Sequence, residues 1–313
     1  MNLVVPTGGR AGMLAALLLT LPSSGQEAGR ISVDVDLVVL HATVTDNRGS
    51  FVPGLGKSDF RVLEDGRPQT IGFLDYGDQP VAVGLVVDNS GSMRRKRDDV
   101  VAAALVFARS SNPNDEVFVV NFNEKTSLGL PARQLFSASA DDLTLALKGV
   151  PARGRTALYD AILAGFDGLA RSKLEKKALI VVSDGADNAS RAGLDDVLRR
   201  AGLSNVMVYT IGLFDEFGND RNPGVLRKIA RATGGEAFMP ERTDAVVRIC
   251  RRIAHDIRSQ YTIGYTPADR RLDGSYRSIV VTARGSHGGP LAVRARAGYL
   301  ASPERVRPEG GAR

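Results

Sequence analysis

The sequence is poor in the side chains that most often bind soft metals or form cross-links. Its 313 residues include one cysteine, three histidines and no tryptophan. A single cysteine excludes a disulfide within the chain. The histidines show no ligand spacing with the cysteine, which excludes the usual zinc sites. Any metal must therefore be bound by oxygen, from the 35 Asp and Glu residues or from hydroxyl groups. The four residues concerned are His41, Cys250, His255 and His287.

Long apolar runs are missing as well. The longest candidate, AGMLAALLLTLP at residues 11–22, is too short to span a bilayer. It follows Arg10 and precedes the small residues Ser23 and Gly25, which is typical of a secretory signal peptide over residues 1–25, cleaved near Gly25. The alternative is an N-terminal anchor or a buried helix. We expect an exported mature chain, periplasmic or extracellular, with no transmembrane segment.

The overall composition is that of a globular protein. Hydrophobic residues make up 43% of the chain and charged residues 24%, which excludes a fully disordered or collagen-like protein. The net charge of +6 permits an acidic partner without requiring one. The length predicts about two domains.

The middle of the chain has the pattern of an α/β domain. VAVGLVV at residues 81–87 is continuously apolar, as expected for a parallel strand buried on both faces. Apolar runs of this kind then alternate with helical periodicity, which predicts a doubly wound, mostly parallel, Rossmann-like sheet. The later strands are expected at 116–122, 178–183, 206–212 and 236–239, and the helices at 93–110, 141–147, 158–170, 194–201, 224–232 and 244–259.

Both ends of the chain have the pattern of β structure instead. Residues 31–45 alternate apolar and polar side chains, and after Gln260 the same alternation returns in YTIGYTP, YRSIVVTAR and LAVRARAGYL, read as three strands. Because each set is small, we expect the two sets to pair into one β-sandwich-like subdomain. The predicted division is a signal peptide at 1–25, β segments at 26–79 and 261–301, an α/β domain at 80–260 and a disordered tail at 302–313.

Oxygen-bearing side chains follow two of the buried strands and precede one helix. Asp88, Ser90 and Ser92 come directly after the first strand, Thr156 precedes the helix at 158–170, and Asp184 ends the strand at 178–183. Ligands of open α/β sheets bind at the carboxyl ends of the strands. Asp and Ser are also ordinary helix caps, so the first loop alone is weak evidence. The three loops together predict a site for a hard divalent cation.

At these residues the sequence resembles the von Willebrand factor type A domain with its metal-ion-dependent adhesion site, over about residues 80–260. The resemblance implies a protein-binding module for adhesion or scaffolding, and no enzyme. The implied cation is Mg²⁺, with Mn²⁺ or Ca²⁺ as alternatives, and the resemblance implies that a Glu or Asp of a protein partner fills its open position. The implied metal ligands, direct or through water, are Asp88, Ser90, Ser92, Thr156 and Asp184.

The flanking segments extend this resemblance. DFRVLEDGRPQTIGF before the domain, and the β segments after it, are similar to an exported bacterial family of VWFA-related proteins. Two other functions stay open at this point. One is a metal-assisted hydrolase, in which a hard cation activates water. The other is a structural envelope protein with a vestigial metal site. Nucleic acid is not an expected partner, because export and the lack of interleaved aromatic residues argue against it.

Several further residues have two interpretations each. Arg94 to Arg97 form either a solvated helical turn or a surface that attracts an acidic partner. Asp187 and Asn188 either orient the metal ligands or close a turn. Cys250 is expected to be a small core residue. The acidic loop is expected to be solvated, with a second cation site as its alternative; it contains Asp215, Glu216, Asn219 and Asp220.

Overall fold

The structure is a computed structural model that describes residues 37–109, 112–214, 221–285 and 288–303. Three of the expectations above fall outside these residues. They are the signal peptide at 1–25, the acidic loop at 215–220 and residues 304–313 of the disordered tail. Among the described residues, no helix has the length and apolar character needed to cross a membrane.

The described residues form fourteen strands and six α-helices. The strands are β1 (Val38–Thr45), β2 (Phe60–Glu64), β3 (Arg67–Gln69), β4 (Ile71–Tyr76), β5 (Val81–Asp88), β6 (Glu116–Phe122), β7 (Thr126–Leu128), β8 (Lys176–Ser183), β9 (Val206–Gly212), β10 (Ala237–Phe238), β11 (Tyr261–Tyr265), β12 (Tyr276–Arg284), β13 (Pro290–Arg294) and β14 (Gly298–Leu300). The helices are α1 (Arg97–Arg109), α2 (Ala140–Lys148), α3 (Leu158–Ala170), α4 (Leu194–Leu203), α5 (Pro223–Thr233) and α6 (Val246–Arg258).

Six strands form one sheet, here called the α/β sheet, in the order β10-β9-β8-β5-β6-β7. All pairings in it are parallel except that of the edge strand β7, which is antiparallel to β6. The chain runs from β5 to β6 on one side and then returns past β5 to β8 and β9 on the other. The direction therefore reverses between β5 and β8, which is the position where sheets of this kind bind ligands. This confirms the predicted α/β fold.

Helices cover both faces of the α/β sheet. Leu85 and Val87 of β5 face a small apolar cavity that is also lined by α1 and by Cys250 of α6. The alternate residue Val86 faces the opposite way, toward Gly165 of α3. Since successive side chains of a strand point to opposite faces, β5 is buried on both. Cys250 is 3% exposed and burial raises the pKa of its thiol to about 12, so it is a core residue, as predicted.

The other eight strands form a second, antiparallel sheet, here called the antiparallel sheet. Its order is β3-β2-β12-β13-β1-β11-β4, with β14 paired to β12. The N-terminal strand β1 lies between β11 and β13, both from the other end of the chain. The predicted pairing of the two terminal β segments is therefore confirmed. Its sandwich-like packing and the domain boundaries at Pro80 and Gln260 stay predictions.

Two details of the elements differ from the sequence prediction. LAVRARAGYL, expected to be one strand, is split into β13 and β14. The split occurs because Arg296 is buried between them and donates to the carbonyl oxygens of Gly202 and Ser204, at the end of α4. Strand β7 was not expected, since its three residues are all exposed and show no apolar alternation. Helix α5 ends at Gly234, whose φ of 78° is the left-handed conformation that glycine adopts most easily.

Candidate metal centre

Asp88 is the last residue of β5 and lies at the reversal of the strand order. Its side chain is 3% exposed. Oδ1 accepts a hydrogen bond of 2.8 Å from the backbone N–H of Ser90, and Oδ2 accepts one of 2.7 Å from the hydroxyl of Ser183. Burial, together with the nearby charge of Asp184, raises the pKa of Asp88 to about 6, although both hydrogen bonds lower it.

Ser90 and Ser92 follow Asp88 in a tight turn. Their Oγ atoms lie 3.1 Å apart, so the two hydroxyl groups are within hydrogen-bond distance of each other. Ser90 is buried, and Ser92 is exposed on the outer side of the loop. The buried side chain of Met93 holds the turn against the core. The loop thus offers two adjacent hydroxyl oxygens next to a buried carboxylate, as the sequence predicted.

Thr156 lies on a second loop, just before α3. This loop is tied to the first by backbone bonds, with Gly91 N donating to Gly154 O at 3.1 Å and Arg153 N donating to Asn89 O at 2.8 Å. Thr156 is 4% exposed. Its hydroxyl makes no hydrogen bond to any other described residue, whereas its backbone N–H and C=O are both bonded.

Asp184 follows β8 and supplies the third loop. Its Oδ1 accepts a bond of 3.1 Å from the backbone N–H of Ala186, and its Oδ2 has no partner among the described residues. The chain turns at Gly185, which has a φ of 80°. A Cβ at that position would lie 2.4 Å from the carbonyl oxygen of Asn222, so only glycine fits.

The third loop also caps helix α3. Asn188 Oδ1 accepts from Thr156 N at 2.9 Å, and Asp187 Oδ2 accepts from Tyr159 N at 3.0 Å. The hydroxyl of Ser190 accepts from Asp160 N at 3.1 Å. These bonds satisfy N–H groups that a helix start leaves unpaired. The two interpretations of Asp187 and Asn188 are therefore compatible, because capping α3 also positions Thr156.

Three polar residues behind the site were not predicted to take part in it. Ser183 orients Asp88, because the parallel register of β5 and β8 places it opposite that residue. Asn89 donates to Asn121 Oδ1 at 3.0 Å, and Asn121 donates to the carbonyl oxygen of Ala146 at 2.8 Å. The sequence could have indicated these residues by a single polar residue near the end of an apolar run, such as Asn121 in EVFVVNF.

The donor set fits a hard divalent cation. Oδ2 of Asp184 and the hydroxyl of Thr156 have no partner among the described residues, and the serine hydroxyls contact each other. All donors are oxygen, which Mg²⁺, Mn²⁺ and Ca²⁺ prefer. No group of three or more His, Cys, Asp and Glu able to hold a metal occurs in the described part of the chain. A cation here would therefore depend on hydroxyls as well as on two carboxylates.

Comparisons with known proteins agree with this architecture. The family model of the von Willebrand factor type A domain matches residues 83–250. The structure of von Willebrand factor type A from Catenulispora acidiphila matches at 16% identity and a TM-score of 0.51, covering 76% of this chain and 73% of that chain. This likeness concerns the fold alone. The comparison with curated proteins finds no match.

Two other solved structures are similar at lower TM-scores. The conserved hypothetical protein BatB from Bacteroides thetaiotaomicron matches at 17% identity and 0.46, covering 57% of this chain and 100% of that chain. Proximal thread matrix protein 1 from the mussel byssus, in a structure with a zinc-occupied MIDAS motif, matches at 15% identity and 0.47. It covers 57% of this chain and 48% of that chain.

Proposed function

The chain belongs to the von Willebrand factor type A domain family, and we propose that it is an exported, metal-dependent protein-binding module for adhesion or scaffolding. Members of this family commonly act as interaction modules with a metal-ion-dependent adhesion site. The observation that carries the proposal is that three loops at the ends of β5 and β8 and the start of α3, tied to one another by hydrogen bonds, bring oxygen-bearing side chains near the buried carboxylate of Asp88.

Five side chains would hold the cation. The carboxylates of Asp88 and Asp184 would balance its double charge, and the hydroxyls of Ser90, Ser92 and Thr156 would complete a set of oxygen donors. We propose Mg²⁺ as the ion, with Mn²⁺ and Ca²⁺ as alternatives of the same chemistry. When bound, the cation supplies an open coordination position that accepts a carboxylate oxygen of a partner protein.

The rest of the site supports binding rather than catalysis. Asp88 and Asp184 are both assigned to the ion, and the carboxylate of Asp187 accepts hydrogen bonds from Tyr159 N and from Ser190. These three carboxylates are therefore engaged, and none of them is left to act as a general base. The polar side chains instead hold the loops in place, as a rigid binding site requires.

Export is the second part of the proposal. It is supported by the signal-peptide pattern of residues 1–25, which places the mature chain in the periplasm or outside the cell. One cysteine, buried in the core, is compatible with an oxidising compartment.

Metal titration of the purified protein tests the site. We expect Mg²⁺ to release or absorb heat in calorimetry and to raise the Tm of the wild type, and to do neither in Asp88→Ala. The matched control is Asp195→Ala, which removes an exposed carboxylate from the first turn of α4 and should leave metal binding unchanged. Equal and negligible affinity for Mg²⁺, Mn²⁺ and Ca²⁺ in wild type and Asp88→Ala would refute the proposal.

A further inference from the structure

Exposed arginine side chains surround the loops of the candidate metal centre. Arg94 and Arg95 follow the two serines on the first loop, and Arg153 and Arg155 lie on the second loop, just before Thr156. All four are exposed. We call these four residues the arginine rim. Two short loops therefore carry four positive charges, in a chain whose net charge is +6.

The two halves of the arginine rim are held next to each other. Arg153 N donates to Asn89 O at 2.8 Å, which joins the second loop to the turn that follows Asp88. Arg94 reaches in the opposite direction, with its Nε 3.4 Å from the carbonyl oxygen of Ala152. Because the loops are tied in both directions, the four exposed arginines lie on the same two adjoining loops as Ser90, Ser92 and Thr156.

The basic run after the first loop divides into two kinds of residue. Lys96 is buried and donates to the carbonyl oxygen of Leu213 at 2.9 Å. Arg97 donates to the carbonyl oxygen of Lys148 at 2.9 Å, at the end of α2, where a cation is favoured. These two side chains stabilise the fold, whereas Arg94 and Arg95 face solvent. The expectation of a uniformly solvated helical turn is therefore wrong for Lys96 and Arg97.

The nearest acidic residues in the chain, Asp98 and Asp99, are exposed in the first turn of α1 and form no ion pair with the arginine rim. Arg95, Arg153 and Arg155 form no ion pair with any described residue. The exposed carboxylate of Glu124 lies against Gly154, 3.4 Å from where a Cβ would be, and is followed by Lys125. Exposed arginines without partners gain energy when an acidic group arrives, because a guanidinium matches a carboxylate with two parallel hydrogen bonds.

We propose that the partner presents an acidic segment, whose carboxylates on either side of the metal-bound one pair with the arginine rim. This inference rests on the proposed function, because it assumes that one carboxylate reaches the cation. One exposed arginine–carboxylate pair contributes little by itself, but the three pairs formed by Arg95, Arg153 and Arg155 together strengthen binding by about tenfold. Their field also speeds the approach of an acidic partner, and salt weakens both effects.

Two synthetic peptides test the inference. One carries a glutamate flanked on both sides by aspartates, and the other carries the same glutamate flanked by serines. With Mg²⁺ at low salt, we expect the wild type to bind the aspartate-flanked peptide about tenfold more tightly. The preference should shrink at about 300 mM salt, where the screening length falls to a few ångströms.

A triple variant and a matched control identify the residues responsible. Replacing Arg95, Arg153 and Arg155 by serine removes no hydrogen bond of a described side chain, so we expect an unchanged Tm, an unchanged response to Mg²⁺ and no peptide preference. The control replaces three exposed arginines by serine, one in the turn after β1 and two in strands β2 and β3, and should keep the preference. These control residues are Arg48, Arg61 and Arg67.

The outcomes separate this inference from the proposed function. Equal, Mg²⁺-dependent affinity of the wild type for both peptides would refute the proposed role of the arginine rim, but not the proposed metal site. A preference that the triple variant retains would overturn it as well. So would a DNA duplex that binds through the same three arginines at least as tightly as the aspartate-flanked peptide. Failure of Mg²⁺ to bind at all would instead refute the proposed function.

Discussion

Asp88 is a buried side chain that can carry a negative charge, and in the metal-free protein burial opposes that charge. It is 3% exposed, and the charge of Asp184 lies close enough to raise its pKa further. An ionised carboxylate in such a place lacks water and faces a like charge, so it costs stability. A divalent cation bound by both carboxylates removes this cost. If the proposed site binds a cation, the same residue would cost stability without metal and would contribute to affinity with it.

The substitution Asp88→Asn separates these two effects. An amide keeps the shape, its oxygen still accepts from Ser90 N, and its NH₂ donates to the hydroxyl of Ser183. We expect the metal-free variant to unfold with a free energy about 1 to 3 kcal/mol higher than the wild type near pH 7.5. Urea denaturation in EDTA measures this difference.

The same variant should gain no stability from Mg²⁺, because it lacks one of the two charges that balance the ion. A Tm that is lower than that of the wild type in EDTA would contradict the account of Asp88 as a strained residue. The variant Asp195→Asn, at an exposed position, serves as the control for loss of a charge.

At this scale the sequence was informative about which atoms could bind a metal, since hydroxyls and carboxylates follow the strand ends in order. It was less informative about the residues that orient them. Asn188 bonds to Thr156 across 32 positions of the chain, and Ser183 bonds to Asp88 across 95. No local pattern contains such a contact, because it arises only when the strands are placed side by side.

The secondary-structure elements act together at the start of α3. The third loop caps this helix with Asp187, Asn188 and Ser190, and the helix start in turn fixes Thr156. Two loops that carry predicted metal ligands are thereby coupled through one helix end. The coupling makes the helix cap part of the binding site, although its side chains are not among the predicted ligands.

The substitution Asn188→Ala tests this coupling. Loss of the bond to Thr156 N should lower the free energy of unfolding by about 1 kcal/mol. It should also weaken Mg²⁺ binding by about tenfold, because residues that orient metal ligands have effects of that size. Calorimetric titration of Mg²⁺ measures the second effect.

The control for this experiment is Ser139→Ala. Ser139 caps α2 by accepting from Asp142 N, so its loss gives a comparable change in stability away from the third loop. If both variants weaken Mg²⁺ binding equally, the effect follows from general loosening of the fold, and the positioning role of Asn188 is wrong.

Element prediction succeeded where a single physical signal dominated. Continuous apolar runs identified β5, β6, β8 and β9, because a strand buried on both faces has no polar side. The edge strand β7 has three exposed residues and carries no such signal. The break between β13 and β14 depends on Arg296 and its distant carbonyl partners, so it also could not be predicted locally.

At the scale of the whole molecule, a buried polar cluster links the two sheets. Asp256 of α6 is 2% exposed. It accepts from the hydroxyl of Thr43 in β1 at 2.6 Å and from the hydroxyl of Tyr209 in β9 at 2.9 Å. It also pairs with Arg294 of β13. One carboxylate thus connects a helix and strands of both sheets.

We expect Asp256→Ala to be among the most damaging substitutions in the protein. It removes the acceptor of two buried hydroxyls and one of the two carboxylates near Arg294, which keeps Gly234 O and Glu236, so the free energy of unfolding should fall by about 3 kcal/mol. Urea denaturation measures it. Arg242→Ala breaks a pair with Asp244 that is largely exposed and should change stability by less than about 0.5 kcal/mol. Similar losses in both variants would contradict the linking role.

His41 gives the contact between the sheets a dependence on pH. It lies in β1, and its ring contacts Thr262 of β11 and Asn205, which precedes β9. Burial, together with the charges of Lys176 and Arg296, lowers the pKa of His41 from 6.5 to about 4. Between about pH 4 and pH 6.5, His41 is therefore neutral in the folded protein and protonated in the unfolded chain.

Stability should consequently be complete above pH 6.5 and fall as the pH drops toward 4. The contribution of His41 amounts to about 2 to 3 kcal/mol between pH 7.5 and pH 4.5. His41→Gln, which does not titrate, should show a smaller loss over the same interval. Thermal unfolding of both proteins across this range measures the difference. Parallel pH profiles would show that His41 is not responsible.

The position of β1 between β11 and β13 has a consequence for biosynthesis. His41 and its neighbour Thr262 are 221 residues apart. At a synthesis rate of about 5 to 20 residues per second, roughly 10 to 45 seconds pass between the synthesis of β1 and that of the strands that flank it. All strands of the α/β sheet are made within that interval. The entropic cost of closing a loop rises only slightly when its length doubles. The order of synthesis, rather than the length of the loop, therefore decides when the two ends of the antiparallel sheet meet.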